Sequence, residues 1–162
     1  MIDAVIFDLD GTLIHLPIDY NAFFEELKRI LKTQNVRPLL ETLSKLDAGQ
    51  KEKAFKAWEN AELFVLERIV LNEEGMKIYN KFTHTPKALV TMQGRILVNN
   101  LAQLGLVFDA TVTREDSLDR VEQLKIASHK IKADIQTLLF VGNTENDSVA
   151  AKKIGCQFLR IE

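Results

Sequence analysis

Short apolar runs alternate along the chain with longer stretches of helical period. The runs are Ala4-Val5-Ile6-Phe7, Lys87-Ala88-Leu89-Val90-Thr91, Leu106-Val107-Phe108 with Ala110-Thr111-Val112-Thr113, Thr137-Leu138-Leu139-Phe140-Val141 and Cys156-Gln157-Phe158-Leu159-Arg160-Ile161. They are largely continuous rather than alternating, the pattern of strands buried on both faces of a sheet. Between them, apolar residues recur every three or four positions: Leu97, Leu101 and Leu104 up to Gly105; Val121, Leu124, Ala127 and Ile131; Val149, Ala150 and Ile154 up to Gly155. Five strands alternating with helices predict an α/β fold with a doubly wound parallel five-stranded sheet.

The segment 19–83 breaks this alternation. It carries no strand-like run and reads as four helices in succession. Phe23, Phe24, Leu27, Ile30 and Leu31 share one face of the first, with Asp19 or Asn21 as N-cap. Pro38 permits a second start, with a stripe of Leu39, Leu40, Leu43 and Leu46 that Asp47-Ala48-Gly49 stops. A long helix is expected from about 52 to 71, with Phe55, Trp58, Leu63, Leu66, Ile69 and Val70 among its apolar positions, and a short one from about 73 to 82. Pro17 bars a helix through 13–19, which reads as a turn or flap. The chain therefore divides into an α/β core over 1–18 and 84–162 and a helical insertion over 19–83. Tyr20, Phe23, Phe24 and Trp58 read as bundle core ahead of substrate contacts.

Composition narrows the function classes. A net charge of −2 gives no support for nucleic-acid or polybasic membrane contact. No apolar run approaches the roughly 20 residues that span a bilayer, and no signal peptide precedes the first strand. The lone Cys156 excludes an internal disulfide and suits a reducing, cytoplasmic setting. Oligomeric state is not legible.

The chemistry gathers at Asp8-Leu9-Asp10-Gly11-Thr12-Leu13, where the first strand ends. Open α/β sheets bind ligands at the carboxyl ends of their strands. One carboxylate there can attack an electrophile, and a second can exchange protons with leaving group and water. Together they make a hard oxygen site suited to Mg²⁺. Gly11 allows a sharp turn. Thr91 ends the second strand before a helix start, so its hydroxyl and the Met92 N–H are placed to bind an anion.

Asp8-Leu9-Asp10-Gly11-Thr12-Leu13 resembles the signature of the haloacid dehalogenase (HAD) superfamily, mostly Mg²⁺-dependent phosphatases and phosphotransferases on a Rossmann-like core. The resemblance implies a strand order of 5-4-1-2-3 and a small helical cap, here 19–83, that closes over the site and selects the substrate. It makes Asp8 the nucleophile and Asp10 the acid and base. Thr12, Thr91 and Met92 would bind phosphate, and a cation at the start of the helix after the third strand would hold the transferring group. Arg120 fits that place, although the family's usual lysine-proline pair is Arg120-Val121 here; Lys125 is the fallback. An arginine keeps the charge and adds bidentate geometry. The metal set would be Asp8, Asp10, Asn143 and Asp147.

Asn143 departs from the family pattern, which places an aspartate there. An amide oxygen can still coordinate Mg²⁺ but brings no charge. The implied activity is hydrolysis of a small phosphomonoester through an aspartyl-phosphate. A binding or regulatory module with little turnover, favoured by Asn143, and a phosphotransferase or mutase are the alternatives. His15, five residues past Asp10, and Arg95 read as surface or structural residues ahead of site residues.

Overall fold

The computed structural model describes all 162 residues. Its central sheet begins with β1 (Ala4–Phe7). The chain then forms a two-residue strand β2 (Ile14–His15), helices α1 (Tyr20–Leu31), α2 (Leu39–Ser44) and α3 (Ala48–Phe64), strand β3 (Val70–Leu71) and helix α4 (Glu73–Lys81). The remaining core is β4 (Lys87–Val90), α5 (Arg95–Asn99), β5 (Ala110–Val112), α6 (Arg120–Lys130), β6 (Leu138–Gly142), α7 (Glu145–Ile154) and β7 (Gln157–Arg160).

The five long-sheet strands lie in the order β5-β4-β1-β6-β7, all parallel, which is the expected topology. β1 sits at the centre with every side chain buried. One of its faces contributes Val5 and Phe7 to a cluster with Leu89, Val141, Leu97 and Leu101. The other contributes Ala4 and Ile6 to a cluster with Val90, Phe140, Leu124 and Ala151. This two-sided burial is why these strands read as continuous apolar runs.

The insertion builds a third core from Phe23, Phe24, Leu27, Val36, Leu43, Ala54 and Trp58. Trp58 and Phe23 stack with ring centroids 5.5 Å apart, so these aromatics are bundle core as read. The packing nevertheless divides the chain differently from the 19–83 segment. Met76, Ile78 and Tyr79 of α4 pack on the cluster beneath the sheet, not on the helical insertion.

Other local expectations change. Asp47-Ala48-Gly49 starts a helix instead of stopping one, because the Asp47 carboxylate accepts the Gln50 N–H at 2.8 Å and caps α3. The long helix ends at Phe64, and Val70–Leu71 pairs antiparallel with Ile14–His15. The flap expected at 13–19 is therefore one half of a β-ribbon through which the chain enters and leaves the insertion. Leu106–Phe108 is connecting chain, and the third strand is confined to Ala110–Val112.

Gly75 shows how closely α4 is fitted. A methyl group on it would lie 1.7 Å from the Thr12 carbonyl oxygen. A glycine-to-alanine change inside a helix ordinarily stabilises by about 0.5–1 kcal/mol. Here the overpacking reverses the sign: Gly75→Ala should lower stability by about 2 kcal/mol in urea unfolding. An unchanged or raised midpoint would contradict this packing.

Candidate active site

Parallel register assembles the site. Phe7 lies beside Leu89 on one neighbour and Val141 on the other, so Asp8, Thr91 and Asn143 all emerge at the carboxyl edge of the three central strands. The Asp8 N–H donates to the Val141 carbonyl at 2.9 Å, which fixes the residue at the last rung of the sheet. The chain then turns tightly. The N–H groups of Thr12, Leu13 and Ile14 all point to the Leu9 carbonyl, while Leu9 and Leu13 are fully buried and anchor the turn. Gly11 adopts φ +83°, and a Cβ there would lie 2.2 Å from the Asn143 amide nitrogen. Both the turn and the close approach of Asn143 require a glycine at this position.

Asp8 is 5% exposed. Its Oδ1 accepts from Arg120 Nη2 at 2.9 Å and its Oδ2 from the Thr12 hydroxyl at 3.2 Å. Arg120 Nε stands 3.0 Å from Asp147 Oδ1 as an ion-pair contact without hydrogen-bond alignment. Arg120 Nη1 donates to Gln123 Oε1 at 2.7 Å. Of the two cations weighed in the sequence, Arg120 is the one in contact with Asp8, whereas Lys125 is exposed on the same helix. Asp147 is buried, and its Oδ2 accepts the N–H groups of Asn143 and Thr144, both at 3.2 Å. It closes a capping box with Thr144 at the start of α7.

Burial pushes the Asp8 carboxyl up to about 7; Arg120 pulls against this and the Asp147 charge adds to it. Asp10 is half-buried and also raised, again by burial, with the Leu16 N–H at 3.0 Å from its Oδ1 opposing the shift. A carboxyl shifted upward in this way suits a proton donor.

The loop after β4 is held from behind. Gln123 Nε2 donates to the Thr91 carbonyl at 2.8 Å, and the Gln93 N–H donates to Thr91 Oγ at 3.0 Å. The Thr91 hydroxyl hydrogen and the Met92 N–H have no acceptor within the protein. They are the two donors this loop offers to an anion. His15 is exposed but close enough to Asp10 for its charge to oppose the rise of that carboxyl, whereas Arg95 is bonded away to Thr113 and Asp116.

The donors for a hard cation are oxygens throughout. The Thr12 hydroxyl contacts Asp8 Oδ2 at 3.2 Å and Asn143 Oδ1 at 3.3 Å, so carboxylate and amide oxygens gather around one point. No group of three or more His, Cys, Asp or Glu side chains forms there. Carboxylate and amide oxygens are nevertheless the hard donors that Mg²⁺ takes. A cleft of about 680 Å³ opens between Lys51 and Phe55 of α3 and the starts of α6 and α7, and it reaches the site at Arg120.

Two residues near the site carry no sequence signal. Arg114 and Glu62 form a bidentate pair, Nη1 to Oε2 at 2.6 Å and Nη2 to Oε1 at 2.8 Å, with both side chains inaccessible. In the sequence, Arg114 opens a polar loop and Glu62 lies in an amphipathic helix. Only their separation of 52 positions, closed by the fold, reveals the pair.

The raised Asp8 carboxyl has a measurable consequence. With an ordinary value of 3.8 and a folded value of about 7, its contribution to stability is present below pH 3.8 and is lost as pH rises through 7. In metal-free buffer, Asp8→Asn should therefore melt higher than the parent at pH 8, by roughly 4–8 °C, or about 2 kcal/mol. The gap should close towards pH 4. A gap independent of pH would refute the assignment.

No protein-family model matches the sequence, and no curated protein matches it. Solved structures do match. A haloacid dehalogenase-like hydrolase from Streptococcus pneumoniae aligns with a TM-score of 0.71 and 18% identity, over 99% of this chain and 85% of that one. CbbY from Rhodobacter sphaeroides, solved in complex with phosphate, aligns at 0.71 and 16%, over 98% and 85%. A HAD-superfamily hydrolase of subfamily IA, variant 1, from Geobacter sulfurreducens aligns at 0.64 and 17%, over 98% and 86%. At such identities the likeness is one of architecture: this chain has the fold of the haloacid dehalogenase-like hydrolases.

Proposed function

We propose that the chain is a phosphohydrolase acting on a small phosphomonoester through an aspartyl-phosphate. The observation that carries this reading is a buried carboxylate, Asp8, gripped by Arg120 and Thr12 at the edge where Thr91 Oγ–H and Met92 N–H lack acceptors.

An Asp8 oxygen attacks phosphorus while the bond to the leaving oxygen breaks, and Asp10 gives that oxygen its proton. Water then attacks phosphorus, Asp10 takes the water's proton, and the Asp8–phosphorus bond breaks to release phosphate. Arg120, Thr91 and the Met92 N–H hold the phosphoryl oxygens and offset their charge. Thr12 steadies Asp8. The residues that would hold Mg²⁺ are Asp8, the main-chain carbonyl of Asp10, Asn143 and, through water, Asp147. When bound, the ion supplies positive charge against the phosphoryl oxygens.

Asn143 removes one negative charge from that set. A loss of roughly 1–3 kcal/mol, or about one to two decades of metal affinity, follows. The same residue supports a second reading, a binding module that keeps the fold with little turnover. The paired Asp8 and Asp10 favour the enzyme, since a purely binding role needs no proton donor beside a nucleophile.

Hydrolysis of an aryl phosphate with and without Mg²⁺ distinguishes the two. The parent chain should turn over and Asp8→Asn should not; full activity in Asp8→Asn would remove the mechanism. Asp10→Asn should lower kcat by about 10²–10⁴. Asn143→Asp should lower the Mg²⁺ concentration for half-maximal rate by about ten- to a hundredfold. If the parent and Asn143→Asp are both silent on a panel of phosphomonoesters, the binding reading replaces this one.

A further inference from the structure

The buried Arg114–Glu62 pair lies directly behind the anion-binding loop. Glu62 belongs to α3 of the helical insertion, and Arg114 follows β5 of the core. Besides gripping each other, both reach the loop that follows Thr91. Arg114 Nη1 donates to the Met92 carbonyl at 3.3 Å, and the Arg114 N–H donates to the Gln93 carbonyl at 3.4 Å. Glu62 Oε2 accepts the Gly94 N–H at 2.9 Å. Arg114 Nη2 also meets the Phe55 carbonyl at 3.4 Å, and its guanidinium lies 4.5 Å from the Trp58 ring centre. A Cβ on Gly94 would stand 2.6 Å from Arg114 Nη2, so the loop presses against the pair itself.

A buried ion pair is a poor source of stability, because the desolvation of two charges cancels most of their attraction. Its value lies in direction: planar, bidentate groups hold their partners in one geometry. With Thr91 O taken by Gln123, Met92 O and Gln93 O by Arg114, and Gly94 N by Glu62, each peptide group between 91 and 94 is tied to a buried partner. Met92 N–H is the main-chain donor of this loop left without a partner.

We infer that Glu62 and Arg114 are positioning residues for phosphoryl binding, fixing the Met92 N–H and the Thr91 hydroxyl in their anion-binding orientation. A carboxylate carried by the insertion therefore shapes the phosphate site of the core. Neither residue touches the phosphoryl group. The inference rests on the phosphohydrolase reading above.

The chain has methionine only at 1, 76 and 92. Methionine labelled with ¹⁵N therefore yields two backbone amide signals, Met76 and Met92. In the parent, inorganic phosphate should move the Met92 signal and leave Met76 in place. The double variant Glu62→Leu/Arg114→Met removes both charges at similar volume, an exchange that buried pairs commonly tolerate. It should keep its melting temperature and its Met76 signal. Its phosphate affinity at Met92 should fall about tenfold or more, and kcat on an aryl phosphate should fall by about 10–10², more than KM rises.

A folded double variant with phosphate affinity and kcat within twofold of the parent would overturn the inference and leave the phosphohydrolase reading standing. A parent with neither hydrolysis nor a Met92 response would remove that reading, and the inference with it. If the double variant does not fold, Arg114→Lys decides by the same two readouts. It keeps the charge while losing the fork, and parent-like values there would equally overturn the inference.

Discussion

One guanidinium holds the carboxyl edge of the sheet together. Arg120 faces Asp8 at the end of β1 and Asp147 at the start of α7, and through Gln123 it steadies the carbonyl after β4. Three chain segments thus share one cation. Burial is the main physical reason Asp8 resists ionisation; Arg120 opposes it, and the second buried carboxylate, Asp147, adds to it. Without Arg120 both carboxylates would be buried and uncompensated, a strongly destabilising condition.

The parts legible in the sequence are those whose cause is local. A run such as Ala4–Phe7 is apolar because both faces of its strand are covered, and the covering needs no knowledge of the partners. Asp8, Thr91 and Asn143 each sit just past such a run, so parallel register alone brings them to one edge. Arg120 was legible only through the family resemblance, which puts a cation at that helix start; the structure sets it against Asp8, while Lys125 is exposed.

The parts that escaped depend on distant partners. Asp47-Ala48-Gly49 holds both a helix-stopping glycine and a helix-capping aspartate, and the choice between them is made by how α3 packs. Val70–Leu71 became a strand only because Ile14–His15 offered it an edge. Arg114 sits among polar neighbours that suggest a solvated loop, yet it is fully buried against an acid from another part of the fold. Burial of that kind is a property of the assembled pair and leaves no period in either segment.

The β-ribbon has a consequence for how such a chain can change over time. Because β2 and β3 pair antiparallel, the two ends of the helical insertion lie side by side on one small ladder. Opposed residues in such a ladder stand only about 5 Å apart. A connection of a few residues could join His15 to Val70 without disturbing the sheet, so the insertion is geometrically a replaceable cassette. Chemically it is not. An exchanged cassette must bring its own acid to meet Arg114 and its own apolar surface to cover Met92 and Leu118, which pack on the insertion's core. The insertion's covalent ties to the core are thus confined to one small ladder, and its chemical ties to the few groups at its base.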